Sequence, residues 1–119
     1  MENLKIYGAA VLALGGLIAC GHSMPPATDR LASTDAAIRS ARELGAEQDP
    51  QAALHLRLAD EQAAQARHLM RDGENKRADF VLQRASSDAE LAIQLTREKN
   101  AKAAAMKSNE SFQNPEMTK

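Results

Sequence analysis

A chain of 119 residues leaves room for one domain at most. Hydrophobic residues make up 44% of it, but aromatics only 3%, with no Trp, one Tyr and two Phe. Alanine supplies much of the apolar content, and alanine favours helix while burying little area, so the core must be a thin seam. Net charge is −1, from 15 basic and 16 acidic residues interspersed along the chain, which leaves no electrostatic footprint for nucleic acid. The single cysteine excludes an intrachain disulfide.

The chain opens with Lys5 in a short polar segment, weakened as a positive region by Glu2, followed by an apolar run from Gly8 to Ala19. That run spans only about 18 Å as a helix, too little for a bilayer core of about 30 Å. A cleavable secretory signal over residues 1–19 is the reading that fits. The run ends on Leu17-Ile18-Ala19-Cys20, which resembles the lipobox of bacterial lipoproteins: an apolar residue, a tolerant position, a small residue, then cysteine. The resemblance implies cleavage between Ala19 and Cys20. It also implies a diacylglycerol thioether and an N-acyl group such as palmitate on Cys20. The chemistry uses the thiol as nucleophile, and multiple acyl chains suffice for stable anchoring. Gly21 stands where an Asp would hold an enterobacterial lipoprotein in the inner membrane. The resemblance therefore implies outer-membrane localisation, facing the periplasm.

Residues 20–28 form a tether, because Pro25-Pro26 blocks helix. Thr28 is a candidate N-cap with Asp29 in the first turn. A first helix then runs over Asp29–Leu44, with Leu31, Thr34, Ile38 and Ala41 at heptad steps, an Asp35–Arg39 pair on its wet face, and Gly45 as its stop.

Asp49-Pro50 reads as N-cap and first helical residue. The second helix, from Pro50 to about Asp72, places Ala52, Leu56, Ala59, Ala63, Ala66 and Met70 on one stripe, with steps of four, three, four, three and four. Leu54 and Leu58 widen its apolar face toward the first helix. Asp72-Gly73-Glu74-Asn75 breaks the pattern. The third helix, from about Asn75 to Lys107, repeats it with Ala78, Leu82, Ala85, Ala89, Ala92 and Thr96. Two matching seams about a glycine turn predict an antiparallel, coiled-coil-like helical hairpin. The fold class is all-α, three helices over residues 29–107. At 1.5 Å per residue the third helix, about 50 Å, overhangs the second, about 35 Å. The tail 108–119, polar and broken by Pro115, reads as disordered. Counted from the anchor, the helices lead out, back and out again, so the overhang points away from lipid.

Nothing along the chain assembles a catalytic or metal site. His55 and His68 stand thirteen residues apart, without a second Cys or a carboxylate pair to complete a zinc set. Asp60-Glu61 and Asp88/Glu90 are split around their helices, and Ser86-Ser87 lack a paired base. There is no phosphate-cradling glycine loop. No enzyme, cofactor or metal is expected.

The lipobox, Asp49-Pro50, Ala53-Leu54, Leu58-Ala59, Ala63, Ala66, Gly73, Ala78, Ala85 and the run Asp88-Ala89-Glu90-Leu91-Ala92 together resemble a family of helical envelope lipoproteins. That family is the domain of unknown function numbered 4398. The resemblance implies an accessory role beside peptidoglycan-binding outer-membrane proteins and supplies no catalytic residues. A second resemblance, to the murein lipoprotein, rests on the terminal Lys119 and implies a covalent link to peptidoglycan. Three functions follow as expectations: an envelope scaffold or regulator that binds a partner or itself, a tether to peptidoglycan, or a small-ligand carrier. The lack of aromatics argues against the last.

Overall fold

A computed structural model describes residues 24–113. The signal segment, the lipobox Leu17, Ile18, Ala19 and Cys20, His22, and Lys119 lie outside the described residues. Helix α1 spans Thr28–Glu43, α2 Pro50–Arg71 and α3 Asn75–Gln113, with a short 3-10 turn at Ala46–Gln48 between the first two. The fold is all-α, with the two longer helices packed on one another.

Each boundary has a local cause. Thr28 is the first residue of α1 and not its cap. That place falls to Ala27, which makes no side-chain cap bond. The Leu31 amide bonds the Ala27 carbonyl at 2.9 Å, so the helix begins directly after Pro25-Pro26. Gly45, at φ 92°, turns the chain out of α1. Asp49 caps α2 as its sequence predicts: its Oδ1 accepts from the Gln51 and Ala52 amides at 3.0 and 2.9 Å. At the far end the Glu74 amide reaches back to Leu69 O at 2.8 Å and the Gly73 amide to Met70 O at 3.2 Å. With Gly73 at φ 77°, this is a Schellman stop.

Helix α3 runs six residues beyond Lys107, so residues 108–113 of the segment read as a disordered tail are helical. Nothing from Ser108 to Gln113 interrupts the ladder, and elongation of a formed helix adds one hydrogen bond per residue fixed. All of residues 101–113 are exposed. This overhang is about 20 Å long.

The core is the seam. Ala52, Leu56, Ala59, Ala63 and Ala66 of α2 are buried, as are Ala78, Leu82, Ala85, Ala89, Ala92 and Thr96 of α3. Met70 differs: it is half-buried, and Leu69 takes the buried place in the last turn. The seam ends there because the chain is leaving the helix through the Schellman turn. Buried Thr34, Ile38 and Ala41 bring α1 onto the hairpin, and it packs more on α3 than on α2. The two buried threonines satisfy their hydroxyls on their own helices. Thr34 Oγ1 donates to Arg30 O at 2.8 Å and Thr96 Oγ1 to Ala92 O at 2.7 Å.

The expected Asp35–Arg39 pair does not form. Asp35 instead accepts from Arg67 Nη2 of α2 at 2.5 Å, because α1 lies close enough to offer a partner on another helix. Arg42–Asp60 and Arg30–Asp79 complete three clamps between α1 and the hairpin. They mark the side of α2 that α1 covers, and Leu54 and Leu58 are not on it. Leu54 is 46% exposed, so those two leucines do not face the first helix.

Candidate functional site

The described side chains are joined across the hairpin at one polar cluster. His55 on α2 places Nδ1 2.9 Å from Asp88 Oδ1 on α3. Gln62, two turns along α2, donates through Nε2 to Asp88 Oδ2 at 2.8 Å. One carboxylate thus bridges two positions of the facing helix. His55 and Asp88 are 27% and 20% exposed, and the Gln62 Oε1 atom is buried without a hydrogen-bond partner.

In the sequence His55 and Asp88 stand 33 residues apart, and no spacing within one helix relates them. Their pairing follows from the register of the hairpin. Gln48 and Lys99 face each other, Lys99 Nζ donating to Gln48 O at 2.7 Å, so facing residues have numbers adding to 147. Asp88 then faces Ala59, and His55 and Gln62 are the seam-flanking positions one turn to either side.

This cluster orients helices and offers no nucleophile. Ser87 Oγ is bonded to Gln83 O at 3.1 Å, and Ser86 points to Glu90 at 3.5 Å. His68 lies beside Arg71, 2.7 Å from its Nη2. Among the described residues no group of three His, Cys, Asp or Glu could hold a metal ion. No described helix is long and apolar enough to cross a membrane.

Two open grooves mark the hairpin. One, of about 400 Å³, lies where α2 begins and the overhang departs, between Asp49, Gln51, Leu95, Lys99, Ala103 and Met106. The other, of about 530 Å³, lies beside Phe80, Arg84 and Asp88. Exposed Phe80, Leu91, Met106 and Phe112 are distributed along α3 and do not form one patch.

The model of a family described as a domain of unknown function (DUF4398) matches residues 29–108, from the first turn of α1 into the overhang. No curated protein and no solved structure matches the chain.

Proposed function

This chain belongs to the DUF4398 family, and we propose that it serves as a non-enzymatic, lipid-anchored envelope protein. Its helical domain would scaffold or regulate a partner in the periplasm. The observation that carries this reading is Leu17-Ile18-Ala19-Cys20 at the end of an apolar run too short to span a bilayer. The bundle supplies compatible geometry. Met24 is bonded to the turn between α2 and α3, and the overhang leaves from the other end. A chain held at Cys20 in the outer membrane would extend α3 away from the lipid, where a periplasmic or peptidoglycan-associated partner is within reach. The residues in hand give rigid surfaces and cross-helix clamps, which suit binding and spacing.

Mass spectrometry of the mature N-terminus tests the anchor. An acylated Cys20 as first residue is the expected result, together with release of Cys20→Ala from the membrane fraction. An unmodified thiol with an intact leader overturns the reading.

A tether to peptidoglycan is the second reading, favoured by the free extension of α3 that carries residue 113 away from the Met24 end. It requires muropeptides that carry the C-terminal fragment, lost on deletion of Lys119.

A further inference from the structure

Helix α2 divides its circumference into three parts. Taking 100° per residue, the seam residues occupy one arc. Its five formal charges, Arg57, Asp60, Glu61, Arg67 and Arg71, share a second, which holds α1 through Asp60 and Arg67. The third arc, running from Gln51 through Leu54, Leu58 and Gln62 to Gln65, has no Asp, Glu, Lys or Arg. In a chain that is 26% charged this is a segregated surface. The adjoining flank of α3 carries Arg84, Asp88, Leu91 and Leu95, with Asp88 already tied to His55 and Gln62.

We propose that this open face of the hairpin is the interface with a second copy of the chain, the two hairpins lying side by side and parallel about a two-fold axis along the helices. Such an axis keeps every residue at its own height and lays α2 of each copy over α3 of the other. With facing residues adding to 147, Leu54 stands level with residue 93, Leu58 with 89 and Gln62 with 85. Leu54 therefore meets Leu95 of the second copy, Leu58 meets its Leu91, and Gln62 meets its Arg84. An axis across the helices would invert the heights and lose these matches.

Arg84 is exposed and makes no ion pair or side-chain hydrogen bond among the described residues, so it reaches the second copy without breaking an existing contact. The neighbouring helices run antiparallel, so their dipoles are favourably arranged.

The face is large enough. A helix of 22 residues is about 33 Å long and two adjacent helices are about 20 Å wide. The footprint is then about 650 Å² per copy, or about 1,300 Å² in all, within the range of stable interfaces. The proposal does not depend on acylation of Cys20, although parallel copies would bring both Met24 ends to the same side.

Crosslinking of the full chain tests it. Two differently tagged copies are co-expressed, one L58C and the other L91C, and solubilised membranes are treated with a short bismaleimide. Copies carrying only Cys20 set the background. A mixed-tag product is expected from this pair and none from R57C with L91C, since Arg57 lies on the charged arc. Absence of the 58–91 product, or equal product from the Arg57 position, overturns the proposal. Independently, L58E places an unpaired charge in the face and should weaken dimerisation by roughly tenfold or more in light scattering. Its circular dichroism should stay unchanged. Unaltered dimer mass in L58E would also overturn it.

Discussion

Asn75 Nδ2 donates to the carbonyl of Met24 across 2.8 Å, fastening the first described residue to the start of α3. At the opposite end Lys99 and Asn100 reach the Gln48 and Leu44 carbonyls at 2.7 and 3.5 Å. The three-helix body is therefore closed at both ends by α3 side chains on backbone oxygens, and residues 101–113 extend beyond it. Each end contact is exposed and so modest in energy. Asn75→Ala should loosen the segment before α1, seen as faster amide exchange at residues 27–31, with global stability falling by no more than about 1 kcal/mol.

The seam sets the stability. Leu82 is the largest fully buried side chain, in a cluster with Ala66, Leu69 and Ala78 and with Leu31, Met70 and Val81 packed against it. Leu82→Ala leaves a cavity that these helix-borne neighbours fill only in part, at a cost of about 2–5 kcal/mol in denaturant unfolding. Ala63→Leu should destabilise by about 1–3 kcal/mol for the opposite reason, because close helix approach leaves no room for the branch.

How much of this was readable beforehand follows from which residues repeat. The four-three stepping of Ala52 to Ala66 and Ala78 to Thr96 is set by backbone geometry alone, so it was legible in one dimension. Asp49-Pro50 and Gly73 were legible for the same reason, since caps and left-handed turns are local. Met70 and residues 108–113 depart from the sequence pattern because helix ends depend on small differences: one turn geometry at Asp72-Gly73, and the absence of a breaker before Pro115. The Asp35–Arg67 and His55–Asp88 pairs were not legible from separations within one helix. They depend on the register between helices, which becomes computable only once the turn is fixed at residues 73 and 74.

The turn glycines separate backbone strain from steric contact. A Cβ at Gly73 would meet nothing within 4 Å, and one at Gly45 would meet the Gln48 side chain at 3.6 Å, an ordinary contact. Gly73→Ala and Gly45→Ala should therefore each cost about 1–2 kcal/mol through the left-handed backbone alone. Gly73→Asn should recover part of that cost. A much larger loss at Gly45 in chemical denaturation would show that the Gln48 contact matters.

The cap of α2 gives a test of comparable size. Asp49→Ala leaves the Gln51 and Ala52 amides without their acceptor and should destabilise by about 1 kcal/mol, whereas Asp49→Asn should be nearly neutral. The groove beside Asp49 belongs to the same end of the molecule. If Asp49→Asn also disturbed binding of an envelope partner in crosslinking, the overhang groove would be the site of that contact.

The overhang should behave as a helix uncoupled from the fold. Residues 101–113 bury nothing, so their helicity rests on propensity and on pairs such as Glu98–Lys102 at 2.5 Å. A proline at Ala104 costs about 3 kcal/mol to the helix locally, yet it should leave the main unfolding midpoint unchanged while reducing the helical signal. The same substitution at Ala85, buried in the seam, should abolish cooperative unfolding, because the broken ladder there also separates α3 from α2. Thermal melts of the two variants side by side decide the matter: equal loss of midpoint would mean that the extension packs on the body, contrary to the exposure of residues 101–113.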